Sequence, residues 1–300
     1  MTEPDFTLYP VPDPVAGPYG ITAGPDGALW ATLVHAGAVL RLGPDGQRAV
    51  HPLDAPESGP CVITAGPDRA LWFTRTRDHR IGRITPDGVR SEIALDPGCG
   101  PFGITAGPDG ALWFTEMHTG RIGRTTVDGQ VTAFELPVEG AFPSFITAGA
   151  DGALWFTLNQ ADALGRITVE GEVTLTPLPT KGAAPVGIAA GPDGTLWFAE
   201  IGAGRIGRRT PAGELVEYPL DDPGCRPHAV VADPAGGCWF TEWGTGRLGR
   251  ITPDGRVTGR PLPSTGGPDA PAPEPHGLAF GPDGALYVAL EAGAIARCAV

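Results

Sequence analysis

Basic residues are scarce in this chain: 21 Lys and Arg stand against 34 Asp and Glu, the net charge is −13, and Lys181 is the only lysine. Such a surface repels a phosphate backbone or an anionic bilayer, which argues against nucleic acid and membrane as partners. Long apolar runs are missing too, since nothing approaches the roughly 18 consecutive apolar residues of a membrane span. The opening Met1-Thr2-Glu3-Pro4-Asp5 has neither the basic start nor the apolar stretch of a secretory leader. A soluble, cytoplasmic protein acting as a monomer is therefore expected. The five cysteines, Cys61, Cys99, Cys225, Cys238 and Cys298, lack the close spacing of a zinc site or a redox pair and read as free buried thiols. The composition is also far from helical.

What is abundant is glycine, 46 residues, and proline, 34, and both fall at fixed offsets in a segment repeated seven times. The run from Gly20 to Trp30 returns unchanged from Gly103 to Trp113. Its aromatic marker recurs at Trp30, Trp72, Trp113, Trp155, Trp197, Trp239 and Tyr287, a spacing that suits four short strands per unit. In the third unit the apolar runs are Gly103 to Ala106, Ala111 to Thr115, Arg121 to Thr125 and Val131 to Leu136, separated by Gly/Pro/Asp turns. Four-stranded sheets repeated radially predict an all-β, seven-bladed β-propeller, one domain over residues 1–300. The last unit holds only three strand signals, while Phe6 to Pro10 resembles the fourth strand of other units, such as Leu215 to Pro219. The N-terminal strand is thus expected to close the last blade and remove its exposed edge.

Two kinds of position stand out. Arg41, Arg83, Arg124, Arg166, Arg208, Arg250 and Arg297 occupy the same place in every unit, and a role needed that often is structural. The guanidinium fork predicts bridges between blades, to carboxylates or carbonyls. By contrast, the residue after a proline at the start of each first strand does not repeat: Tyr19, Cys61, Phe102, Ser144, Val186, His228, His276. First strands line a propeller's channel, so these residues should ring one mouth, with two histidines in adjacent blades. Two residues earlier the units carry Gly17, Gly59, Gly100, Phe142, Ala184 and Arg226, but the seventh carries Glu274. That unit also holds Glu291 after its second strand, and a longer loop at 264–273. Glu274 and Glu291 are placed to give two oxygen ligands to a hard cation, and magnesium suits a site with so few carboxylates. Glu116, Glu200 and Glu242 belong to a partly repeated Thr/Ala-Glu element and rank below them.

From residue 6 to residue 300 the chain resembles the virginiamycin B, or streptogramin B, lyases. The resemblance rests on Gly-Pro-Tyr-Gly-Ile-Thr at 17–22, Trp-Phe-Thr-Glu-Met at 113–117, Pro-Ser-Phe-Ile-Thr at 143–147, Arg-Pro-His-Ala at 226–229, Trp-Phe-Thr-Glu-Trp-Gly at 239–244 and Glu-Pro-His-Gly at 274–277. It implies a magnesium-dependent carbon–oxygen lyase that opens cyclic depsipeptide antibiotics at their ester bond by elimination and so confers antibiotic resistance. It further implies that His276 accepts the proton, that His228 contacts substrate and acts beside it as orienting or proton-donating partner, that Glu274 and Glu291 bind Mg2+, and that Tyr19 lies beside the site and binds substrate. Departures are Tyr287 at a tryptophan position, Leu158 at a common glutamate position, and the longer loop before Glu274.

The residue types suit that chemistry. A neutral imidazole, with an ordinary pKa of about 6.5, takes a proton near neutrality, and a divalent cation stabilises charge on carbonyl oxygens. Two other readings compete: a metal-dependent lactone hydrolase, which would add water to the product, and a non-catalytic interaction platform, which leaves the paired histidines and Glu274 unexplained.

Overall fold

The computed structural model describes residues 6–264 and 272–300, and these form seven four-stranded antiparallel sheets arranged as a β-propeller. The inner strands of blades 1 to 7 are Pro18–Ala23, Pro60–Ala65, Pro101–Ala106, Pro143–Ala148, Pro185–Ala190, Pro227–Ala232 and Pro275–Phe280. Each packs against the inner strands of its neighbours, and the inner strand of blade 7 meets that of blade 1. Phe6–Pro10 pairs antiparallel with Ala294–Cys298, so the N-terminal strand is the outer strand of blade 7, as expected. Most of the loop at 264–273 lies outside the described residues. All five cysteines are free and buried. Among the described residues no helix is long and apolar enough to cross a membrane.

Inside each blade a turn aspartate gathers two donors. In blade 3, Asp109 accepts the indole N–H of the fully buried Trp113 at 3.0 Å and the Arg124 Nε–H at 2.7 Å. The same clasp joins Asp26 to Trp30 and Arg41, Asp68 to Trp72 and Arg83, and Asp151 to Trp155 and Arg166; in blade 7 Asp283 takes the Tyr287 hydroxyl and Arg297, and in blade 6 Asp233 takes Arg250 without the Trp239 indole. The repeated arginine therefore locks a turn within its own blade. Only Arg208 follows the expectation of a bridge to another blade, donating to the Pro253 carbonyl.

The blade-to-blade polar link is instead a threonine on the second strand. The Thr241 hydroxyl accepts from the Ala229 N–H of its own blade at 3.0 Å and donates to the His276 carbonyl of the next blade at 2.9 Å. Thr32, Thr74, Thr115 and Thr157 likewise donate to the carbonyls of Cys61, Phe102, Ser144 and Val186. The threonine lies on the second strand, which packs against the inner strand of the next blade, whereas the arginine lies on the third strand, farther out.

Candidate active site

The variable residues lie within the inner strands, which begin two residues earlier than the apolar pattern suggested: proline is tolerated as the first residue of a strand. The pairing register slips in every blade between that proline and the residue three further on, for example between Pro227 and Val230 and between Pro275 and Leu278. The bulge re-aims the residue after the proline. Glycine then allows close approach: a Cβ on Gly277 would stand 2.7 Å from the Tyr19 carbonyl oxygen, and one on Gly187 2.4 Å from that of His228.

The re-aimed rings meet one another. Tyr19 stacks on His276 with centroids 4.3 Å apart, and the His228 ring stands edge-on to His276 at 4.8 Å. Tyr19 Oη lies 3.3 Å from His228 Nε2. Further edge contacts run from Tyr19 to Phe102, Phe102 to Phe145 and Phe145 to His228, so aromatic side chains from blades 1, 3, 4 and 6 fill the inner ring. His276 Nε2 donates to Glu291 Oε2, and the other oxygen, Oε1, accepts from His35 Nε2 at 2.7 Å. The Nδ1 atoms of His228 and His276 are buried with no partner among the described residues.

Burial and neighbours divide the charges. His228 and His276 are only 7% and 6% exposed. Burial, reinforced by His276 alongside, pushes His228 down to about 3, so it is neutral near pH 7. Burial also raises the Tyr19 phenol well above its usual range, keeping it a hydroxyl. The hydrogen bond from His276, followed by that from His35, outweighs desolvation and holds Glu291 down at about 2. The arrangement is a carboxylate-oriented imidazole beside a neutral histidine and a protonated phenol.

Glu274 and Glu291 are paired through the backbone at one end of the first two strands of blade 7, the Glu291 N–H donating to the Glu274 carbonyl at 3.1 Å. The Glu274 side chain is exposed, and no ion pair engages it among the described residues. Each Glu291 oxygen keeps a lone pair beyond the one its imidazole uses. No group of three His, Cys, Asp or Glu is placed to hold a metal among the described residues. This donor set fits magnesium, which takes one or two carboxylates and leaves the remaining positions to water and substrate.

All five residues singled out in the sequence, Tyr19, His228, Glu274, His276 and Glu291, thus fall on one arc. Glu116 and Glu242 are occupied elsewhere, paired with Arg121 and Arg247. Three neighbours escaped the sequence reading: His35, Phe145, and Trp243, whose ring lies 6.3 Å from His276 and carries the Arg226 guanidinium at 5.3 Å. A signal for Trp243 exists in a second varying position just past the second strand, which reads Val34, Thr76, Met117, Asn159, Ile201, Trp243, Glu291, and His35 directly follows that position in blade 1.

Residues 4–298 match the model of the Virginiamycin B lyase family. The crystal structure of virginiamycin B lyase from Staphylococcus aureus superposes with a TM-score of 0.93 at 39% identity, covering 99% of this chain and 100% of that one. A catalytically inactive histidine-to-alanine variant of the S. aureus enzyme, solved with quinupristin, gives 0.92 at 38% identity over 99% and 100% of the two chains. Virginiamycin B lyase of Saccharopolyspora erythraea is 65% identical over a stretch of 43 residues, which spans 14% of this chain and 14% of that protein.

Proposed function

The chain belongs to the virginiamycin B lyase family, and from that premise we propose that it inactivates type B streptogramins, opening the cyclic depsipeptide at its ester bond by a magnesium-dependent elimination. The observation that carries this reading is the His276 imidazole held by Glu291 and stacked on Tyr19, with neutral His228 at its edge.

The ester joins a threonyl side-chain oxygen to the C-terminal carboxyl. His276 takes the threonyl α-proton; the C–H electron pair becomes the new double bond, and the C–O bond breaks with its pair leaving on the carboxylate. Glu291 orients the imidazole through its hydrogen bond. His228, neutral at pH 7, and the Tyr19 hydroxyl hydrogen-bond the substrate and fix its ring against His276. Phe102 and Phe145 supply an apolar wall that keeps water from the reacting carbon. Glu274 and Glu291 would hold Mg2+, which as a Lewis acid supplies stabilisation of negative charge developing on substrate carbonyl oxygens.

The test is incubation with a type B streptogramin, with magnesium and with a chelator, read by mass spectrometry. A linear product isomeric with the substrate, formed only with the metal, is expected. A product heavier by one water would replace elimination with hydrolysis, and an unchanged substrate would remove the reading altogether.

A further inference from the structure

Glu291 is gripped from both sides. His276 belongs to the same blade, whereas His35 comes from blade 1, 256 residues away in sequence, and meets Oε1 at 2.7 Å across the junction where the propeller closes. The backbone around His35 is fixed by bonds that recur in other blades: the Val34 N–H donates to the Gly17 carbonyl at 2.9 Å and the His35 N–H to that of Ala16 at 3.0 Å, as Met117 and His118 do to Gly100 and Cys99. The imidazole also needs the absence of a side chain at Gly17, since a Cβ there would lie 2.4 Å from its Cδ2. Carried to the next junctions round the ring, the same two positions read Arg77 with Val34, His118 with Thr76 and Gln160 with Met117. None of these sets an imidazole against a carboxylate. His35 keeps 46% of its side chain exposed, so packing does not account for its place.

We propose that His35 is a positioning residue: it holds Oε1 of Glu291 so that Oε2 is presented to His276, and thereby sets both the orientation of the His276 ring and the affinity of the Glu274–Glu291 pair for a divalent cation. The first consequence is independent of metal; the second rests on the magnesium reading above. A free carboxylate rotates about its last two torsions, and a fixed second donor removes that freedom before substrate or cation arrives. Outer-shell partners of this kind are worth about 10- to 100-fold in metal affinity.

The experiment compares the intact protein with His35→Ala and His35→Gln, the glutamine restoring an N–H donor of similar reach. Without metal, NMR of the histidine side chains should show the His276 N–H resonance, shifted downfield by its carboxylate bond, displaced or broadened in His35→Ala and recovered in His35→Gln. With Mn2+ as the probe followed by electron paramagnetic resonance, His35→Ala should bind about tenfold more weakly and His35→Gln within about threefold of the parent. The melting temperature should move little for a residue this exposed. An unchanged imidazole resonance together with unchanged Mn2+ affinity in His35→Ala overturns the proposal, as does a large loss of thermal stability with both signals intact. If the parent binds no Mn2+, the magnesium reading fails by itself, and the imidazole resonance alone decides the role of His35.

Discussion

Glu274 sits where glycine would be less strained. Its φ is +45°, in the left-handed region, and the equivalent Gly17, Gly59 and Gly100 have φ of +67°, +60° and +60°. Volume is traded at this slot. Where it holds glycine, His35, Arg77 and His118 reach over it, and where it holds Ala184 or Arg226 the covering residue shrinks to Gly202 or Gly244. Glu274→Gly should therefore stabilise the fold by about 1 kcal/mol, the usual left-handed penalty for a residue with a Cβ, while activity falls by at least tenfold. Calorimetry and a turnover assay check the two halves.

Glu200 offers a second residue-scale prediction. It is fully buried, neither carboxylate oxygen has a hydrogen-bond donor among the described residues, and Ala203 stands where Thr119 and Thr245 serve Glu116 and Glu242. Burial first, then neighbouring Glu217, raises it to about 8, with Asp162 adding to the shift and Arg205 opposing it. The folded chain then keeps a proton that the unfolded chain has released, so stability falls as pH rises from about 4.5 to about 8. Glu200→Gln should flatten that decline in a melting-temperature profile; an unaltered slope would show that Glu200 is ionised throughout.

At the scale of the element, the threonine clip decides how firmly the inner strands are held. Blades 5 and 7 carry Ala199 and Ala289 at the clip position, so the carbonyls of His228 and Tyr19 receive no such hydroxyl, whereas that of His276 is clipped by Thr241. Thr241→Val keeps the shape but leaves a buried N–H and C=O unpaired, at a cost of about 1–3 kcal/mol. Thr115→Val removes the equivalent bonds from Gly103 and to Ser144, beside the wall residues Phe102 and Phe145 but not on the strand that carries His276. Both variants should lose similar stability in urea melts, but only Thr241→Val should also lose turnover, because only there does the freed backbone carry His276. The second strands show how such exchanges keep packing constant. Phe114 lies on Gly123, where an added Cβ would stand 2.1 Å from the ring, and blade 1 inverts the sizes by pairing Ala31 with Leu40.

For the whole molecule, the site straddles the seam. Blade 7 carries Glu274, His276 and Glu291, blade 1 carries Tyr19 and His35, and blade 7 is completed only by Phe6–Pro10 from the other end of the chain. Deleting residues 1–10 exposes the edge strand Ala294–Cys298 and uncovers the apolar contacts of Phe6 and Leu8 with the cluster around Leu286 and Val288. The melting temperature should fall by at least 5 °C, on the order of a loss of 1–2 kcal/mol or more for a chain of this size. Streptogramin turnover should fall with it; a truncated protein that melted and turned over like the parent would deny the closing strand its role.

The periodic spacing of Trp, Gly-Pro-Asp-Gly and proline determined the blades, their number and the strand that closes the ring, because repeats of this kind are stabilised by contacts within a unit and with its neighbours. The departures from that period were enough to single out Tyr19, His228, Glu274, His276 and Glu291. The identity of the polar bridge was not legible, since the arginine recurs in all seven units and the threonine in five, and only the fold shows that the second strand, which carries the threonine, lies against the inner strand of the next blade. Nor was His35, which looks like one more variable turn residue until ring closure sets it against a glutamate from the opposite end of the chain. Sequence alone determined the scaffold and named most of the side chains that meet at the candidate site. Which nitrogen meets which oxygen was decided by the tertiary structure, because those contacts join residues that only closure of the propeller brings together.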